Sequence, residues 1–174
     1  MTTVNVEARV ASPIGTLRLI ANASGLIGLY MPRHVREPAA SELATDEPCE
    51  PSHPVLRETA KQLAEYFAGT RQVFDLPLAA SGTEFQRRVW QALCTIDFGR
   101  TWSYAELARA IDQPNASRAV GAANGRNPIS IVVPCHRVIG SNGSLTGYGG
   151  GEWNKRWLLD HEAVVAGRAL PFAR

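Results

Sequence analysis

Ile131-Val132-Val133-Pro134-Cys135-His136-Arg137-Val138-Ile139 is the stretch on which the reading of this chain turns. Its first three residues are apolar and β-branched, and the run is too short for a helix, so it predicts a buried interior strand. Pro134 has no N–H to give to a sheet ladder and ends that strand. Cys135 then falls where the fold stops and a pocket can begin, with an imidazole beside it and a guanidinium one residue further. A thiol near histidine and positive charge ionises more readily, and the thiolate is the reactive form. These residues point to a nucleophile with a depressed pKa. A small buried hydrophobe is the alternative that any lone cysteine allows.

The 174 residues are enough for one or two compact units with a real core, and 45% hydrophobic with 20% charged residues is ordinary for a globular protein. No apolar run approaches a membrane span, and acidic Glu7 sits among polar residues near the start. Neither a membrane segment nor a signal peptide is expected, which predicts a cytoplasmic, nucleoid-associated protein. Three cysteines, Cys49, Cys94 and Cys135, fit neither a disulfide framework nor a metal-ligand spacing. Cys94 falls on the apolar side of a helical pattern and Cys49 in a polar loop, both structural or incidental. Residues 1–80 hold seven Lys/Arg against nine Asp/Glu, and residues 81–174 hold eleven against seven. Positive charge therefore travels with Cys135, too mildly to indicate nucleic acid by itself.

The N-terminal unit, 1–80, reads as a β-meander of Val4–Val10, Thr16–Ala21 and Leu26–Met31 followed by a helix, Val55–Ala68, stopped by Gly69. Residues 32–54 read as an exposed loop. The second unit, 81–174, opens with the capping-box pattern Thr83 to Gln86, and its helix runs on toward Gly99. A second box, Ser103 to Glu106, starts another helix, and Asn115 is a plausible cap for Ala116–Gly125. Two short helices so joined make a helix-turn-helix. The second contains Ala116, Ala119, Gly121, Ala122, Ala123 and Gly125, with Arg118 and Arg126 as its long side chains. Small residues there mean either tight helix packing or entry into a narrow nucleic-acid groove. Gly140–Gly143 is a turn, and Thr146–Gly151 is a glycine-rich wall able to approach a ligand through backbone N–H groups. Trp153, Trp157, Leu158 and His161 predict a core-facing closing helix over 152–162, with both tryptophans as packing.

Pro134-Cys135-His136-Arg137-Val138, with Ser103-Tyr104, Arg118-Ala119-Val120-Gly121, Asn127-Pro128, Tyr148 and Glu162 in order, resembles the O6-alkylguanine-DNA alkyltransferases (methylated-DNA–protein-cysteine methyltransferases). The likeness is continuous from about Gly82 to Glu162, and the N-terminal part resembles that family's ribonuclease-H-like lead-in. It implies an α+β protein with a winged helix-turn-helix-like second domain. It further implies transfer of an alkyl group from O6 of guanine in duplex DNA to Cys135, once and irreversibly, with O4 of thymine left open as a second site. In its terms Cys135 is nucleophile, His136 base and Glu162 the residue orienting it. Asn127 braces the active-site turn, and Tyr104 hydrogen-bonds the leaving guanine. Arg118 is an arginine finger on a helix in the minor groove, where Ala119, Gly121, Ser103, Asn115 and Ala116 meet the DNA. Tyr148, Gly149, Val138 and Pro134 line the pocket. Gly149 stands where some relatives carry serine, which predicts a roomier wall. Family members that bind structural zinc use N-terminal Cys/His ligands, and no matching set is found, so no metal or cofactor is expected. A monomer is implied, with clustering on DNA allowed. A cysteine hydrolase acting on an acyl substrate would use the same three residues but show turnover, and it leaves the helix-turn-helix unexplained. A DNA-binding regulator with Cys135 as sensor would want an extra domain that this sequence lacks.

Overall fold

The computed structural model describes residues 4–39, 51–145 and 147–171; Cys49 and residues 40–50 of the 32–54 loop lie outside them. Strands β1 (Val6–Val10), β2 (Leu17–Asn22) and β3 (Gly25–Tyr30) form an antiparallel meander in that order. Helix α1 (Pro54–Phe67) packs on it and buries Leu56, Leu63 and Tyr66. The α1 start is fixed by His53, whose Nδ1 accepts from Val55 N, and by Pro54 in the first turn, where a missing N–H does no harm. Gly69, at φ 77°, closes the other end.

The free edge of β3 does not face water. Leu26 N donates to Pro77 O and accepts, through its own carbonyl, from Ala79 N; Leu29 N donates to Pro128 O and Ser130 N to Leu29 O. An unpaired edge invites association, and here the connector and the segment before Cys135 cover it. The N-terminal unit is thus joined by backbone bonds to the segment that carries the cysteine.

The second half is mostly helical. Helix α2 (Glu84–Leu93) and α3 (Tyr104–Ala110) both begin with complete capping boxes, Thr83 with Gln86 and Ser103 with Glu106. α2 ends at Cys94, earlier than the apolar spacing suggested, and Cys94 is exposed there rather than on the apolar side. α4 (Ser117–Gly125) completes the helix-turn-helix; Trp90 Nε1 donates to Ala123 O at 2.9 Å and ties α2 to it. Asn115 does not cap α4. The cap residue is Ala116, with no side-chain hydrogen bond. Two residue pairs, β4 (Trp102–Ser103) and β5 (Val138–Ile139), make a small parallel ladder that the sequence had not suggested. Closing helix α5 (Glu152–Val165) buries Lys155, Leu158, Leu159, Glu162 and Ala163. Trp157 stacks on His161, with ring centres 5.1 Å apart, but Trp153 is 65% exposed and is not core.

The predicted strand at 131–133 is absent. Residues 129–133 form a buried turn, with Val132 N donating to Ser130 O and Val133 N to Ile129 O. Ile131 sits at φ 70°, an unusual conformation for a β-branched residue that costs on the order of 1–3 kcal/mol. The apolar run is explained by burial, not by strand pairing. Asn127 holds it: its Nδ2 donates to Val133 O (2.8 Å) and Ile129 O (3.4 Å), and its Oδ1 accepts from Ile129 N (3.0 Å).

Candidate active site

Cys135, His136 and Arg137 form one turn of 3-10 helix between that braced loop and β5. A 3-10 turn spreads successive side chains around its axis, so three adjacent residues reach three different surroundings. Cys135 is 4% exposed, and its thiol donates toward the Tyr148 hydroxyl at 3.9 Å. His136 is fully buried and its Nε2 lies 2.7 Å from Glu162 Oε1. An ionised carboxylate can only accept, so Nε2 carries the ring proton and Nδ1 is a bare lone pair. That Nδ1 has no hydrogen-bond partner among the described residues. The structure therefore holds a buried imidazole in the tautomer of a base, in the residue next to a buried thiol.

Glu162 is the hub. Oε1 accepts from His136, from Tyr66 OH (2.8 Å) and from Arg137 Nη2 (3.1 Å); Oε2 accepts from Arg137 Nε (2.9 Å) and Gly99 N (3.1 Å). Burial alone would raise its pKa, but His136 and Arg137 together hold the carboxyl well below the usual carboxylate range. Burial outweighs Glu162 at His136 and keeps the imidazole below its ordinary value, hence neutral at rest. Tyr66 comes from α1 of the N-terminal unit, and sequence gave no signal for it. Arg137 was read as charge beside the thiol. It instead points into the core, with Nη1 donating to Ile96 O at 2.6 Å and its guanidinium over the Phe98 ring.

The expected depression of the Cys135 pKa is reversed. Burial pushes the thiol up, and the Asn127 amide, Tyr148 hydroxyl and Lys155 ammonium offset this only in part. In so buried a position the desolvation of a full charge exceeds the combined pull of these neighbours. The thiol rests protonated. Lys155 was not anticipated either. It is 1% exposed, its Nζ donates to Val138 O and lies 5.3 Å from the centre of the Tyr148 ring. Burial lowers its pKa to about 8, against the opposing pull of Cys135. One cue was present in the sequence: Lys155 and Glu162 share the apolar face of α5 with Leu158 and Leu159.

Of the remaining expected residues, Pro134 and Val138 are buried on either side of the Cys135 turn. Tyr104, first residue of α3, is half-buried, and burial followed by the charge of a Cys135 thiolate raises its pKa. Tyr148 and Gly149 are buried, and Asn154 Nδ2 donates to Gly150 O at 2.7 Å, tying their loop to α5. Gly149 does not leave room on its outer side, because a Cβ there would meet the His34 ring at 2.8 Å. Arg118 and Ala119 lie on the exposed face of α4, and Asn115 is exposed before it. The Ser103 hydroxyl is engaged as acceptor in its capping box. A Cβ at Gly121 would sit 3.6 Å from the Tyr104 ring, an ordinary contact, so packing inside the protein does not demand glycine there. Among the described residues no group of His, Cys, Asp and Glu could hold a metal ion, and no helix is long and apolar enough to cross a membrane.

Comparison with known proteins covers most of the chain. The model of the 6-O-methylguanine DNA methyltransferase ribonuclease-like domain matches residues 5–80, and that of the same family's DNA binding domain matches residues 84–164. A methylated-DNA–protein-cysteine methyltransferase of Mycobacterium tuberculosis is 48% identical over 153 residues, 88% of this chain and 89% of its own. One from Salmonella typhimurium is 62% identical over 105 residues, 60% of this chain and 61% of its own. The crystal structure of Mycobacterium tuberculosis OGT in complex with DNA superposes with a TM-score of 0.79 at 46% identity, covering 90% of this chain and 92% of that one. A cysteine in a braced turn, an imidazole anchored on a buried glutamate and a helix-turn-helix are thus carried by a chain that, matched over residues 5–80 and 84–164, belongs to the 6-O-methylguanine DNA methyltransferase family.

Proposed function

We propose that this chain repairs duplex DNA by direct reversal, moving the alkyl group from O6 of guanine onto Cys135. The observation that carries the reading is the unpartnered Nδ1 of His136, a buried base with its other nitrogen committed to Glu162, next to a thiol that burial keeps protonated. Sγ attacks the alkyl carbon, the carbon–O6 bond breaks, and its electron pair returns to the purine. The thiol proton passes to His136 Nδ1, by way of water because no direct Cys135–His136 hydrogen bond is found among the described residues, and Glu162 stabilises the imidazolium. Tyr104 supplies a proton or hydrogen bond to the leaving guanine, and backbone N–H groups at Tyr148 and Gly149 meet O6. Asn127 keeps the cysteine turn in shape, while Pro134 and Val138 wall the pocket. The Lys155 ammonium steadies the thiolate while it exists. The product is a thioether, which water does not cleave at neutral pH, so each molecule acts once.

O6 lies within the base stack, so the base must leave it, at about a few kcal/mol of unstacking. Arg118 on exposed α4 fills the vacated space from the minor groove. Ala119 and Ala122 are exposed and small without any packing need inside the protein, as a helix entering a narrow groove requires. The α4 N-terminus, uncapped by any side chain, offers its first N–H groups to a phosphate near Asn115 and Ala116, and Ser103 meets the DNA from the start of α3. Units 1–80 and 81–174 divide the work: the first supports Glu162 through Tyr66, and the second binds and reacts. The protein works as a monomer in the cytoplasm, around the nucleoid.

The test is Arg118→Ala, assayed on duplex carrying O6-methylguanine and on free O6-benzylguanine. The duplex reaction should slow by about tenfold or more, while the free base, which needs no extrusion, should react within about twofold of wild type. Equal losses on both would refute the finger role, and no reaction of wild type with either would refute the function.

A further inference from the structure

The outer side of the pocket wall is built by the N-terminal unit. After β3 the chain makes a tight turn in which His34 N donates to Met31 O, Glu37 N to His34 O, and Arg36 N to His34 Nδ1. His34 is 7% exposed and meets the Tyr30 ring edge-on, with centres 5.4 Å apart. Its neighbour Val35 donates its N–H to Gly149 O at 3.0 Å. A Cβ on Gly149 would stand 2.8 Å from both Cε1 and Nε2 of His34, and one on Gly150 would stand 2.3 Å from Met31 Cε. Gly149 is not among the glycines at positive φ, so its backbone would accept alanine; the imidazole is what excludes it. On the inner side, adjacent Tyr148 turns its hydroxyl toward the Cys135 sulfur.

We infer that His34 is a positioning residue for the wall Tyr148–Gly150, so that the N-terminal unit fixes how closely the wall approaches the alkyl group being transferred and thereby sets alkyl-size selectivity. The inference rests on the alkyl-transfer reading above. A glycine-rich wall has little stiffness of its own, and a ring wedged behind it supplies what the backbone lacks. Without that ring the wall recedes from Cys135, which loosens the fit around a methyl group more than around a benzyl group.

Single-turnover labelling of full-length protein separates this from a general structural role, using oligonucleotide duplexes bearing O6-methylguanine or O6-benzylguanine. A merely weakened fold lowers the fraction of molecules that label on both substrates alike. A receding wall instead leaves that fraction unchanged and alters the rate constants. His34→Ala should raise the benzyl-to-methyl rate ratio by about threefold or more, because a shape change at the wall discriminates by size. Gly149→Ala alone should slow labelling, and adding His34→Ala should recover most of that loss, a coupling of about tenfold expected for side chains in direct contact. An unchanged ratio in His34→Ala, or effects of the two changes that multiply independently, would overturn the inference while wild type still labels. A wild type that labels on neither duplex overturns the alkyl-transfer reading and this inference with it.

Discussion

Replacing Glu162 by Gln keeps the side chain's shape and removes the charge on which five donors converge. Three of them, from His136, Tyr66 and Arg137 Nη2, meet at Oε1, and two, Arg137 Nε and Gly99 N, meet at Oε2. The least damaging orientation of the amide turns its NH2 toward the second pair, leaving both donors unmet. Arg137, only 6% exposed, then becomes a buried cation with no counter-charge. Breaking one side of a buried ion pair is worth about 3–5 kcal/mol. For a chain of this length that corresponds to a fall in Tm of about 6–20 °C. The imidazolium formed when His136 takes the thiol proton loses its stabilising partner, so the alkyl-transfer rate constant should fall by about 10²–10⁴-fold. Differential scanning calorimetry and single-turnover labelling, run on one preparation, read the two effects separately. A Glu162→Gln protein that melts within about 2 °C of wild type, or labels within about threefold of its rate, would refute the hub.

Tyr66→Phe removes one donor to the same carboxylate without changing volume. A hydrogen bond to a charged group contributes about 1.5–3 kcal/mol, so Tm should fall by about 3–12 °C, measured by calorimetry. Labelling rates should stay within about threefold because the His136–Glu162 contact remains; an unchanged Tm would show that Tyr66 does not tie the two units. The depressed Glu162 pKa also sets an acid limit. Its folded value lies below the unfolded value near 4.5, so the stabilisation is complete above that pH and is lost as pH falls below it toward the folded value. Melting curves from pH 7 to pH 3 should show wild type losing part of its lead over Glu162→Gln only below about pH 4.5. A lead that is constant across this range would contradict the assigned shift.

The fold was legible wherever local chemistry specifies local structure. Both capping boxes, the meander turns and the Gly69 stop are short-range devices, and each lies where its residues indicate. The sequence misled at Ile131-Val132-Val133, where β-branched residues are buried by a turn that Asn127 staples, because burial and strand pairing leave the same apolar run. Asn115 misled as well, since a good capping residue one position too early caps nothing. The cysteine, histidine and glutamate were legible through a dense local motif and a resemblance. The contacts of Tyr66, Lys155 and His34 were not, because they come from long-range packing. The direction of the Cys135 pKa was missed for the same reason: its neighbours in sequence favour ionisation, and the burial that opposes it exists only in the folded chain.

The central claim is that one sulfur atom keeps the alkyl group. Intact-protein mass spectrometry after reaction with duplex DNA containing O6-methylguanine tests it most directly, with peptide mapping to locate the adduct. The account predicts a single addition of one methylene group, about 14 Da, carried by Cys135 and reaching one equivalent without turnover. Methyl loss from the DNA with an unmodified protein, or an adduct carried by exposed Cys94, would contradict it.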